Sequence, residues 1–335
     1  MKKIINDPAR FVDETMEGIV AAYGDKVRFL NGDHRVLVSA YPKKKGKVGI
    51  VTGGGSGHLP LFLGYVGRGM ADACAVGNVF ASPAYSKMAA AIRAADAGAG
   101  VLCLYGNYGG DKMNFEQAME DCRMDDIRCR ELRAGDDVAS SPKETADRRR
   151  GVAGIVYAYK CAGAAADLMW DLDRVTAVTS KALQNIRTMG VALTPCVVPE
   201  VGRPTFEIKE DEMELGMGIH GEKGISTAGL MKADEMAQLM LEKIMGDIEI
   251  GSGDEVSVMV NGLGATPLEE QLIVYRYVAA YLKERGVRIV APHIGEYTTS
   301  MEMAGLSVTL FKLDAELKQL LLAPAETPFY TNLNK

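Results

Sequence analysis

Two of the four histidines in the chain are set among glycines, and both settings point to chemistry. In VTGGGSGHLP (51–60), glycines and a serine lead up to His58; in ELGMGIHGEKG (214–224), Gly216, Gly218 and Gly221 surround His220. Glycine carries no Cβ and accepts positive φ, so backbone N–H groups or an imidazole there can be reached at close range by a small oxygen-rich ligand. A nucleotide is not that ligand. A Walker loop needs a lysine and a hydroxyl residue after its last glycine, and Gly57 is followed by His58 and Leu59. GMGIHG matches GxGxxG letter by letter, yet no hydrophobic strand precedes it and no βαβ unit surrounds it. A tight strand-to-helix turn without a ligand accounts for GGGSG taken alone. The third element, YGNYGGDKMNF (105–115), places Asp111 after Gly109 and Gly110. That aspartate either caps the next helix or presents a carboxylate within hydrogen-bond reach of a substrate hydroxyl.

The elements that must position these residues follow an α/β rhythm. KVGIV (47–51) reads as a buried strand, SKMAAAIRAADAG (86–98) as a helix, GVLCLYG (100–106) as a strand and DKMNFEQAMEDCRM (111–124) as a helix. Such alternation signals βαβ units, and it puts GGGSGH and NYGGD at the carboxyl ends of parallel strands, where ligands gather. The apolar LPLFLGYVGRGM (59–70) begins a packed element. Residues 148–190 are alanine-rich and helical, with a break at Asp171 and Asp173. After Gly190 the texture turns proline-rich and strand-like. The second half supplies strands at 255–264, 287–295 and 307–314 around an amphipathic helix at 269–286. The expected fold is α/β in two domains: a three-layer α/β/α domain with a mainly parallel sheet over 1–188, and an α/β domain with a mixed sheet over 189–335.

At 335 residues and 47% hydrophobic, the chain buries a sizeable core. Its net charge of -6, from 38 basic and 44 acidic residues, argues against nucleic acid as a partner. The basic runs KKKGK (43–47) and RRR (148–150) are short and lack interleaved aromatics, so they read as solvated faces. The amino terminus meets charges at once, and no stretch approaches ~18 uninterrupted apolar residues, so a cytoplasmic protein without a membrane segment is expected. Cys74, Cys103, Cys122, Cys129, Cys161 and Cys196 form no CxxC pair, which indicates neither a disulfide framework nor a metal site.

Along its length the chain resembles the substrate-binding K subunit of dihydroxyacetone kinases. The resemblance is carried by INDPARFVDETMEG, GGGSGH, GNVFASP (77–83), NYGGDKMNF, RGVAG, RTMGVALTPC, PTFEI, EDEMELGMGIHGE, VNGLGATPLEEQ and TSMEMAG. It implies a homodimer of two-domain subunits that binds dihydroxyacetone or another short ketose such as erythrulose. His220 would bond covalently to the ketose carbonyl as a hemiaminal. His58 and Asp111 would act as acid/base and hydroxyl-binding groups, and Gly55, Ser56, Gly57, Ser82 and Gly106 would line the pocket. No cofactor is implied in this chain; ATP or ADP with Mg is expected on a separate L-type subunit, recharged in some cases by a phosphotransferase-system donor.

The pattern departs from the family at four places: Leu59 stands for a glutamate, Gly106 for a lysine, Gly109 for a threonine and Lys223 for a proline. Two readings follow from these departures. One is a kinase subunit with a pocket enlarged for a longer ketose; the other is a non-catalytic ketose-sensing coregulator of a transcription factor. The retention of His58, Asp111 and His220 favours the kinase subunit.

Overall fold

The computed structural model describes residues 2–333. The chain is divided between two compact units. The first takes the chain through Ala134, then Val156–Ala182, then the chain from Leu317 onward; the second takes Gly135–Ile155 and Leu183–Glu316. The chain therefore passes between units at four places, and the passage after Ala182 lies nearest the expected boundary at 188. The change of composition near 190 marks that passage only.

The first unit holds a six-stranded sheet of β1 (Val27–Leu30), β2 (Asp33–Ser39), β3 (Gly49–Ser56), β4 (Ala73–Val79), β5 (Val101–Gly106) and β6 (Cys129–Ala134), in the order β1-β2-β4-β3-β5-β6. β4, β3, β5 and β6 run parallel, while β1 and β2 join antiparallel at one edge. Every residue of β3 and β5 is buried, as in a sheet covered on both faces. Its helices are α1 (Phe11–Tyr23), α2 (Tyr85–Ala95), α3 (Gly109–Arg123), α4 (Ile155–Asp167) and α5 (Leu172–Gln184). Val51 packs in one core with Ala91, Ile92 and Ala95 of α2 and with Phe115 of α3. The next residue, Thr52, meets Tyr159 of α4 at 2.6 Å between hydroxyls. Successive strand residues face opposite ways, so α2 and α4 cover opposite faces and the layers are α/β/α. A Cβ on Gly49 would fall 2.7 Å from the Ala95 carbonyl oxygen, so glycine there lets α2 lie close.

In the second unit, β7 (Ile186–Ala192), β8 (Glu212–Leu215), β9 (Ser226–Gly229), β10 (Glu255–Gly262), β11 (Arg288–Ile289), β12 (His293–Gly295) and β13 (Gly305–Leu313) form a mixed sheet in the order β11-β10-β13-β7-β8-β9, with β12 also on β10. Only β11 and β12 run parallel to their neighbour. α6 (Ala233–Asp247) and α7 (Leu268–Glu284) bury Met240, Ile244, Val274 and Val278 against Val191, Val258, Val260, Val308 and Leu310 of the sheet. The strand expected over 287–295 is broken in two. Ala291 adopts φ 47, its carbonyl accepts the Ser257 hydroxyl at 2.8 Å, and Pro292 has no N–H to give the ladder. The terminal helix α8 (Ala315–Leu322) passes into the first unit, where the buried Lys160 ammonium donates to the Leu320 carbonyl at 2.7 Å.

The basic runs are not solvated faces throughout. Arg149 is 2% exposed, with its guanidinium forked onto Asp247 at 2.8 and 2.6 Å; Arg187 shares that carboxylate. Arg150 pairs with Asp137, and Lys47 is buried against Asp72 at 2.7 Å and Asp167 at 3.4 Å. A charge run read without its partners does not reveal acidic residues that arrive from distant positions. The six cysteines are buried and none is in a disulfide. No helix among the described residues is long and apolar enough to cross a membrane.

Candidate active site

Three adjacent parallel strands, β4, β3 and β5, end at one edge of the first sheet and carry Ser82, His58 and Asp111 on the segments that follow. The GGGS segment lies within β3 rather than beyond it, and Gly57, at φ +99, turns the chain so that His58 leaves the strand end. The glycines answer to protein neighbours. A Cβ on Gly54 would fall 2.2 Å from the Phe62 ring, and one on Gly55 2.7 Å from the Ala81 nitrogen. Larger residues would push Phe62 and the turn at 80–82 away from the strand. Ser56 ties the same turn down: its hydroxyl donates to the Gly77 carbonyl at 2.8 Å, and its carbonyl accepts the Phe80 N–H at 3.0 Å.

His58 is 1% exposed, stacked on Phe80 at 4.8 Å between centroids and edge-on to Phe62 at 6.2 Å. Phe62 and Phe80 adopt φ 63 and 57, a left-handed conformation that bulky side chains disfavour. Such outliers persist where surrounding structure over-determines them, and these two flank the imidazole.

Asp111 is the third residue of α3, three positions past the N-cap Tyr108, which makes no side-chain cap bond. A buried carboxylate is favoured there by the helix dipole. Burial first, and then the Asp111 charge, push the Cys74 thiol up; Tyr159 rises chiefly through burial, with Asp111 adding to it. Asn114, one turn further on, donates to the Ser82 hydroxyl at 3.2 Å and the Pro83 carbonyl at 3.1 Å. With a Cβ on Gly110 only 3.1 Å from the Ser82 Cβ, this seats Ser82 on the first turn of α3. Gly106 ends β5 in register with Ala134. Around Gly109 a Cβ would meet nothing within 4 Å.

In the second unit His220 lies on the loop between β8 and β9, its side chain 20% exposed. Its Nδ1 lies 2.8 Å from Oε1 of Glu222, and its backbone N–H donates to Oε2 at 2.9 Å. Burial alone would raise the Glu222 carboxyl, but the His220 hydrogen bond and ring charge hold it at about 2. An ionised carboxylate only accepts, so Nδ1 carries a hydrogen, and in the neutral tautomer that this selects Nε2 holds the lone pair. The glycines here shape the loop around that carboxylate rather than clearing an approach to the ring. A Cβ on Gly218 would sit 2.1 Å from Glu222 Oε2, and Gly221, at φ +79, lies against Thr205.

Of the expected residues, Gly55, Ser56, Gly57, His58, Ser82, Gly106 and Asp111 belong to the first unit and His220 to the second. Sequence reasoning missed Glu222 and Asn114, though both stand inside quoted motifs. An acidic residue two positions after a glycine-flanked histidine was the available signal for Glu222. Among the described residues no group of three or more His, Cys, Asp or Glu could hold a metal ion.

Comparison with known proteins places these features in a family. Residues 17–329 match the Dak1 domain. The chain is 44% identical over 330 residues to the dihydroxyacetone-binding subunit DhaK of PTS-dependent dihydroxyacetone kinase 2 from Listeria innocua, covering 98% of this chain and 99% of that one. It is 42% identical over 334 residues to the L-erythrulose kinase of Pectobacterium atrosepticum, covering 98% of this chain but 56% of that longer one. The solved dihydroxyacetone kinase operon co-activator DhaQ superposes with a TM-score of 0.89 at 30% identity, over 96% of this chain and 98% of that one. With the domain match spanning most of the chain and the identity running end to end, this chain belongs to the Dak1 family, beside the dihydroxyacetone-binding DhaK subunits.

Proposed function

We propose that the chain is the ketose-binding subunit of a dihydroxyacetone-type kinase, holding the ketose covalently on His220 and presenting its terminal hydroxyl to a phosphoryl group carried by a separate L-type subunit. The observation that carries this reading is the Glu222–His220 pair. With Nδ1–H fixed on the carboxylate, the Nε2 lone pair adds to the ketose C2 and the carbonyl π pair moves to oxygen. The alkoxide takes a proton while the imidazolium gives one up, leaving a neutral hemiaminal. Glu222 stabilises the imidazolium on the way. Only a carbonyl compound forms this bond, so it selects a ketose over a polyol.

His58 and Asp111 are the groups assigned to the hydroxyl proton, with Ser56 and Ser82 as neighbouring polar groups. Nucleotide and Mg belong, in this reading, to the L-type subunit, and this chain needs no cofactor of its own. The donor is ATP or a phosphotransferase-system protein, and the subunit acts as a homodimer in the cytoplasm. The similarity to a PTS-dependent DhaK supports the second donor, and the similarity to an erythrulose kinase supports a four-carbon ketose.

The test is an NMR titration with dihydroxyacetone labelled with carbon-13 at C2. Wild type should convert the carbonyl resonance to a bound tetrahedral one, and His220→Ala should not. A bound ketone signal in wild type at saturation would overturn the covalent reading. Similarity to the co-activator DhaQ favours a second reading, a ketose sensor without turnover. Phosphoryl transfer to the ketose in the presence of an L-type subunit separates the two.

A further inference from the structure

The RGVAG motif (150–154) has no task in the reading above, yet it lies against the His220 loop. Arg150, with a side chain 14% exposed, is held on one side by Asp137, whose Oδ2 accepts Nε and Nη2 at 3.0 and 2.7 Å. On the other side Nη2 donates to the Gly216 carbonyl at 2.8 Å and Nη1 reaches the Glu222 carbonyl at 3.4 Å. One planar group thus spans the turn that carries His220. Gly218 leaves room for it, since a Cβ there would come within 2.6 Å of Nη1. The base of the arrangement is fixed as well. The buried Asp136 carboxylate accepts the Val152 and Gly154 N–H groups at 2.9 and 2.8 Å and the Thr188 hydroxyl at 2.6 Å. The Asp137 N–H donates to the Arg150 carbonyl at 3.1 Å, and the Gly216 N–H donates to Gly190 of β7 at 2.7 Å.

From this geometry we infer that Arg150 is a positioning residue for His220, fixing the imidazole through the Gly216 and Glu222 carbonyls while Asp137 fixes Arg150. The inference rests on the reading of His220 as the ketose-binding histidine. A lysine does not substitute for Arg150, because an ammonium is a point charge without the fork that serves two carbonyls and a carboxylate at once.

The test uses the full chain carrying Arg150→Lys, which keeps the charge beside Asp137. The double variant Asp137→Leu with Arg150→Met replaces the buried pair by apolar volume and keeps the experiment informative if the lysine variant misfolds. Dihydroxyacetone and glycerol are the calorimetric probes, and the labelled ketose reports adduct formation. Both variants should bind dihydroxyacetone about tenfold more weakly while their glycerol affinity stays at the wild-type level. A general structural defect weakens both ligands alike and overturns the inference. So does dihydroxyacetone affinity within twofold of wild type in a folded variant. If wild type itself shows no tetrahedral carbon, the histidine reading has failed and the inference falls with it; if wild type shows it and the variants keep both signal and affinity, only the role of Arg150 has failed.

Discussion

Replacing Glu222 by glutamine keeps the shape of the side chain and removes its charge, which makes it the sharpest probe of the histidine. The carboxylate accepts two hydrogen bonds from His220, at Nδ1 (2.8 Å) and at the backbone nitrogen (2.9 Å). Hydrogen bonds to charged groups contribute about 1.5–3 kcal/mol each. The amide oxygen of glutamine retains one of them in neutral form, while its NH₂, facing Nδ1, favours the tautomer that blocks Nε2. The Glu222 and His220 side chains are 34% and 20% exposed, which sets the loss near the lower end, about 1.5 kcal/mol or roughly tenfold in ketose affinity. Titration calorimetry with dihydroxyacetone reads this directly, with glycerol as the control that has no carbonyl. The pH dependence has a definite sign. The Glu222 carboxyl is held down from 4.5 to about 2, so its support is complete above about 4.5 and is lost as pH falls toward 2. The advantage of wild type over Glu222→Gln should therefore shrink as pH falls from about 4.5 toward 2. Binding by the variant within twofold of wild type, or an equal loss for glycerol, would refute the reasoning.

Four further outcomes are expected. Asp247→Ala leaves the 2% exposed Arg149 guanidinium without its carboxylate and should lower unfolding free energy by about 3–5 kcal/mol in a urea titration; a loss under about 1 kcal/mol would show the pair to be replaceable by water. Gly55→Ala forces a Cβ to within 2.7 Å of the Ala81 nitrogen and should cost about 1–3 kcal/mol in a urea titration, an effect absent if the turn moves freely. Asp111→Asn should abolish phosphoryl transfer in the presence of an L-type subunit while sparing ketose binding, and turnover within a few-fold of wild type would leave the carboxylate only its helix-dipole role. Gly109→Thr enters open space, so melting should be unchanged while kcat/KM for erythrulose falls relative to dihydroxyacetone; an unchanged ratio would detach this position from substrate length.

The sequence made the strands and loops that carry the candidate residues legible, and the structure shows what holds each residue there. The apolar runs at 47–51 and 100–106 became β3 and β5 because buried parallel strands carry uninterrupted hydrophobic patterns. The helix expected at 111–124 begins two residues earlier, which turns Asp111 from a possible cap into a first-turn carboxylate. Less legible were contacts set by tertiary partners. The RRR run reads as surface until Asp137 and Asp247 arrive from elsewhere in the chain, and Lys47 waits likewise on Asp72 and Asp167. The break at Ala291 and the noncontiguous first unit also escape a reading made along the chain.

The glycines change what mutational evidence would mean. Both glycine-flanked histidines suggest ligand approach when read as sequence, yet Gly54, Gly55, Gly218 and Gly221 each have a protein neighbour where a Cβ would go. Substituting them disturbs Phe62, the turn at 80–82, Glu222 or Thr205 before it disturbs any ligand. In the proposed reading, lost ketose binding in such a variant would therefore follow from displacement of these protein neighbours as well as from any lost ligand contact. Under the proposed function the two rings themselves carry the specificity. His58 is held by two aromatic residues in disfavoured conformations, and His220 by a carboxylate that stays ionised across the working pH range. Each loop thus sets the orientation of one imidazole, and preorganised orientation lowers the entropy cost of binding and of proton transfer.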